Sequence, residues 1–136
     1  MRPSRTNVGE FHAVAVSRIR ALAKECAEPG WDGADARPLD HRAAISAEEF
    51  IRALPHELPA PEVSPEPDGS LSLDWIRSRE RLFSVSVGTT NRLAYAWLNG
   101  TKSGHGTADF DGETIPRRIM EGIVAVVTRY AEVVRC

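Results

Sequence analysis

The stretch "NGTKSGHGTADFDG", residues 99–112, holds the side chains best suited to chemistry in this chain. If it is extended, Ser103, His105, Thr107 and Asp109 project from one face, which sets a hydroxyl, an imidazole and a carboxylate in a row. Those groups serve nucleophilic or acid–base catalysis, with His105 moving a proton and Asp109 or the distant Asp32 orienting its ring. Alternation along one strand, however, spaces such residues by about 6 to 7 Å in a line. A working triad needs hydrogen bonds that converge, normally from different elements. The competing reading is a mobile glycine-rich connection between a sheet and a last helix. A phosphate loop is not expected, because G-x-x-x-x-G-K-[ST] is absent and no helix begins after Ser103 to offer its amides. No catalytic residue is assigned, and a ligand pocket between residues 100–112 and 30–38, touched by Ser103, His105 and Asp109, stands as the alternative to a binding module.

The other reactive side chains are scattered. His12, His41, His56 and His105 make no HExxH or other close metal spacing, so neither a metal nor a cofactor is expected. Cys26 falls inside a helical pattern and reads as a small buried hydrophobe, whereas Cys136 reads as an exposed terminal thiol. Arg77, Arg79 and Arg81 form the richest basic stretch, interrupted by Glu80, and alternation places all three on one side of a turn or strand start. They are a candidate contact for a partner, against the plainer reading of a solvated rim. Asp109, Asp111 and Glu113 are expected to gather at the start of the last helix, where the dipole favours negative charge.

These residues must be positioned by a chain of 136 residues, the size of one domain spanning 1–136. Hydrophobic residues make up 42% and charged residues 26%, which is ordinary globular usage and argues against wholesale disorder. A net charge of -2 and a pI near 6.1 give no overall positive field, so nucleic acid is not an expected partner and neither is a membrane surface. No apolar run approaches a membrane span and the first residues lack an apolar signal core, so the cytoplasm is the expected compartment.

Periodicity supplies the elements. From Asn7 to Ala27, Phe11, Ala15, Ile19, Leu22 and Cys26 step by three and four, which predicts a helix opened by an Asn7–Glu10 capping box and stopped by Pro29-Gly30. A second helix is predicted from about His41 to Leu54, capped by Asp40, with Ala43, Ala47, Phe50, Ile51 and Leu54 inward. Prolines 65 and 67 suit an edge strand, and Pro67-Asp68-Gly69 marks a turn. Alternation then groups Leu71, Leu73 and Trp75, next Phe83, Val85 and Val87, and next Leu93, Tyr95 and Trp97 on one buried face. A weaker strand is predicted over Gly104 to Phe110. The last helix is expected to be long, capped by Thr114, with Ile115, Ile119, Ile123, Val126, Val127, Tyr130 and Val134 as its apolar side. The fold class is therefore α+β, a two-layer sandwich of a four- or five-stranded antiparallel meander with two N-terminal helices and one C-terminal helix. Trp75 and Trp97, with Tyr95 and Phe83, form the middle of the core or, where a helix leaves the face uncovered, anchors for a partner.

Residues 30–40, "GWDGADARPLD", read as a fixed corner between the first two helices. Gly30 and Gly33 permit positive φ, Asp32 suits an Asx turn, and Trp31 pins the loop to the fold. Alternatively Trp31, Asp32 and Asp35 line a groove for a partner. Trp31-Asp32-Gly33, Ala36 and Pro38, followed by Pro67-Asp68-Gly69 and Asp74-Trp75, resemble a group of small uncharacterised bacterial proteins with a W-D-G corner, over roughly residues 28–98. Its members often have G-Y-G-A after the W-D pair, where this chain has Gly33-Ala34-Asp35-Ala36. The resemblance implies a shared fold, and no activity comes with it. Taken together, the residues point to a protein-binding module of the antitoxin, immunity, inhibitor or chaperone kind. Its expected partner is another protein, engaged through Trp31, Asp32, Arg77, Arg79 and Arg81, through the outer sheet face or by β-addition at an edge strand, or a second copy through the last helix.

Overall fold

The computed structural model describes residues 3–128, with side chains described from His12 onward. In chain order the elements are α1 (Pro3–Glu25), α2 (His41–Ala53), β1 (Glu62–Pro65), β2 (Leu71–Ser78), β3 (Arg81–Val87), β4 (Arg92–Asn99), β5 (Lys102–Asp109) and α3 (Arg117–Val127). The strands form one antiparallel meander in the order β1-β2-β3-β4-β5, and the helices make a second layer on one face. Among the described residues no helix is long and apolar enough to cross a membrane.

The helices form where apolar residues recur at helical spacing. Ala15, Ile19 and Leu22 are buried and give α1 a single inward stripe, which Cys26, just past the helix end, continues. Burial, and then the charge of Glu25, push the Cys26 thiol up, so it packs as a neutral hydrophobe. In α2, Ala43, Ala44, Ala47, Phe50 and Ile51 face inward, and Asp40 caps the helix by accepting the N–H groups of Arg42 (2.8 Å) and Ala43 (3.4 Å). Replacing Asp40 by alanine is expected to cost about 1 kcal/mol, measured as a lower urea midpoint; an unchanged midpoint would show that water satisfies those amides equally well. The Asn7–Glu10 box and Phe11 lie outside the described side chains, and Tyr130, Val134 and Cys136 lie outside the described residues.

The last helix departs from expectation at its start. Thr114 is not its cap: the helix begins at Arg117 with Pro116 in the capping position. The reason is a separate turn just before it, in which Asp111 accepts the N–H groups of Glu113 and Thr114, each at 2.8 Å. The bonds from Thr114 and then Glu113 hold the Asp111 carboxyl below its usual range. At the other end, Val127 closes the described helix and Thr128 is extended, so α3 has 11 residues.

Three rows of paired residues cross the covered face of the sheet. They run Trp75, Phe83, Trp97, Gly104; then Leu73, Val85, Tyr95, Gly106; then Leu71, Val87, Leu93, Ala108. Each row begins with a large residue on β2 and ends with a small one on β5. The helices pack on β1, β2 and β3, and α3 alone reaches β4. The other face carries Ser72, Asp74, Ser84 and Ser86, with Ser72 and Ser84 both donating to Asp74.

Candidate functional site

The corner at residues 30–40 uses its polar groups on itself. Asp32 accepts the N–H of Ala34 (2.9 Å) and of Ala36 (3.3 Å), and Gly30 and Gly33 take positive φ of 77° and 82° to allow the turn. The Trp31 indole donates to the Arg37 carbonyl at 2.7 Å while its ring packs on the core. Arg37 and Asp40 then donate backbone N–H groups to Pro67 and Gly69, which ties the corner to the β1–β2 turn. The geometry gives Trp31 and Asp32 a structural task.

The arginines do not act together. Arg77 and Arg79 are exposed, but Arg81 reaches the end of α3 and donates to the carbonyls of Ala125 (3.3 Å), Val126 (2.8 Å) and Thr128 (2.9 Å). A guanidinium there satisfies orphan carbonyls and complements the negative end of the helix dipole. The expected three-arginine patch is thus corrected to two exposed side chains and one helix cap. No spacing in the sequence signals this, because the acceptors lie 44 to 47 residues away.

The hydroxyl, imidazole and carboxylate series is present as predicted, but on an open surface. Ser103, His105, Thr107 and Asp109 are all exposed on the uncovered face of β5, and Asp109 pairs with Arg92 at 3.5 Å. The segment is not the mobile connection that its glycines suggest, since β5 pairs with β4 from Lys102 to Asp109 without a break. Among the described pockets none is lined by both segments: Phe110, Asp111 and Gly112 line one beside Thr89 and Thr90, and Arg37 and Pro38 line another beside Asp68 and Gly69. Among the described residues no three His, Cys, Asp or Glu side chains gather as a metal site would require.

What the sheet does bring together is an aromatic groove beside a free strand edge. Trp75 is 3% exposed and its indole donates to the Pro59 carbonyl at 2.8 Å, so it belongs to the core. Trp97 and Tyr95 are only half buried, because the helical layer stops short of them. Their rings lie over β5: a Cβ on Gly104 would sit 2.7 Å from the Trp97 ring, and one on Gly106 would sit 2.7 Å from the Tyr95 hydroxyl. Between these rings and α3 runs a groove of about 420 Å³, lined by Phe83, Tyr95, Trp97, Lys102, Arg118 and Gly122. Sequence reading paired the two tryptophans and took the glycines for flexibility. Large aromatics opposite glycines in adjacent strands were the signal that separates them.

The edge itself has a direction. One step beyond the Arg92–Asp109 pair that ends the β4–β5 register, the Phe110 N–H donates to the Asn91 carbonyl at 2.8 Å. Because antiparallel ladders alternate, even-numbered residues of β5 bond to β4 and the odd-numbered ones turn their backbone groups outward. Ser103, His105, Thr107 and Asp109 therefore present N–H and C=O groups along an edge that no strand among the described residues pairs with. The opposite edge differs: β1 has four residues, ends in Pro65 and follows Pro59 and Pro61. Prolines and short length are the usual means of closing an edge to further pairing. Compared with family models, curated proteins and solved structures, the chain finds no match, so its function has to be read from this geometry.

Proposed function

We propose that the protein is a binding module that docks another polypeptide by strand addition at β5, in a cytoplasmic setting. The observation that carries this reading is the conjunction of a full-length edge left unpaired among the described residues with two half-buried rings directly beside it. An added strand would bond to the outward backbone groups of β5, and its alternate side chains would point toward the groove next to Trp97 and Tyr95. Main-chain bonding of this kind supplies affinity, while the groove selects side chains. Tryptophan and tyrosine are the residues that most often anchor interfaces. Lys102 and Arg118 at the rim, with Glu121 beside them, favour a partner that is apolar at its centre and acidic at one end.

Two variants test this. Thr107→Pro removes an outward N–H without removing a bond to β4, and Trp97→Ala removes the larger anchor. In affinity capture from native lysate, with circular dichroism confirming the fold, each is expected to weaken retention of a bound protein by about tenfold or more, in line with the loss of more than 1.4 kcal/mol at a hot spot. Retention that is identical for the wild type and Thr107→Pro would refute strand addition.

A further inference from the structure

The outward edge of β5 is complementary to itself, and we propose that its occupant is a second copy of this chain, paired β5 to β5 antiparallel about a two-fold axis beside Gly106. The inference rests on the strand-addition reading and names the strand that is added. Three observations lead to it.

First, all the outward backbone groups belong to Ser103, His105, Thr107 and Asp109. An axis beside Gly106 sets Ser103 opposite the partner's Asp109 and His105 opposite the partner's Thr107. Every outward residue of one copy then meets an outward residue of the other, as an isologous contact requires. Second, β5 begins with Lys102 and ends with Asp109, followed by Asp111. Antiparallel pairing lays the basic start of each strand near the acidic end of its partner, with no like charges directly opposed. Third, a two-fold axis perpendicular to the sheet keeps both helical layers on the same side. The Tyr95 hydroxyl and the ring carbon that bears it lie over Gly106 in each copy, and the two β5 strands would run about 4.8 Å apart, so the hydroxyl ends of the two rings meet at the axis and their ring edges are covered. The pairing thereby covers apolar surface that the helices leave open.

A strand from an unrelated protein would satisfy the backbone groups equally well, whereas a second copy also sets the basic start of β5 against an acidic end by symmetry. The described part of α3 is a poorer dimer surface than its apolar stripe suggests, since Ile119, Ile123, Val126 and Val127 are all buried against the sheet.

Sedimentation of the full chain from micromolar to near-millimolar concentration tests the proposal. The wild type is expected to form a dimer, and Thr107→Pro to raise its dissociation constant by about tenfold or more, because symmetry removes the bond twice. Amide exchange of the wild type gives a second reading that needs no variant. Exchange at Ser103, His105, Thr107 and Asp109 is expected to slow as concentration rises, while Gly104 and Gly106 remain protected throughout. A wild type that stays monomeric, a Thr107→Pro dimer as tight as the wild type, or odd-numbered amides indifferent to concentration would each overturn it. If the wild type is monomeric yet captures another protein that Thr107→Pro loses, the copy is the wrong occupant and strand addition stands. If neither a dimer nor a Thr107-dependent partner is found, both readings fall.

Discussion

Replacing Phe50 by alanine is expected to lower the unfolding free energy by about 3–5 kcal/mol. Phe50 is fully buried on α2, where it meets Trp75 at 6.3 Å and Phe110 edge-on at 5.6 Å between ring centroids. These three rings join the helical layer to β2 and to the segment that leaves β5. Truncation removes apolar contact and leaves a cavity flanked by rings from two other segments, which collapse into it only in part. With a urea dependence of about 1–3 kcal/mol/M, the midpoint should fall by at least about 1 M. Ile45 on the same helix is 47% exposed and serves as the comparison. Its replacement by alanine should change stability by less than about 0.5 kcal/mol. Equal losses at the two positions would mean that the ring cluster contributes nothing beyond helix propensity.

The second large effect is expected at Gly122, which touches the groove from the side of α3. In a free helix, glycine to alanine is a gain of up to about 1 kcal/mol. Here a Cβ would overlap the Phe83 ring, which is fully buried and stacked on Tyr95 at 5.7 Å with an 11° tilt. Phe83 cannot swing aside without disturbing that stack. Gly122→Ala should therefore destabilise by about 1–3 kcal/mol, the usual range for overpacking. Adding Phe83→Leu, which makes room for the methyl group, should recover part of the loss, so the double variant is more stable than the sum of the two single effects predicts. A Gly122→Ala protein more stable than the wild type would show that α3 stands further from the sheet than described.

Elements that announce themselves by local period were readable before the structure. Apolar residues at three- and four-residue steps marked α1 and α2, and alternation marked β2, β3 and β4, because each pattern needs only its own segment. Asp40 was legible for the same reason, since a cap acts on amides two and three residues ahead. The failures share a cause of the opposite kind. Arg81 serves carbonyls on a distant helix, and the two tryptophans differ only in how far the helical layer extends across the sheet. Glycine is a poor strand former when judged alone. Gly104 and Gly106 make sense only once Trp97 and Tyr95 on the next strand are known to lie across them. The hydroxyl, imidazole and carboxylate series was legible as a row, and its placement on an open face was not, because a row on one strand does not reveal what packs above it.

The unequal edges of the sheet also set a limit on size. A sheet with two receptive edges can bind head to tail without end, which is how fibres and insoluble aggregates grow. Here β1 is short and bracketed by prolines, features that disfavour further pairing, so on the proposed reading growth would stop after a single step at β5. On the proposed β5 pairing, one step of association uses the receptive edge of each copy and leaves none for a third.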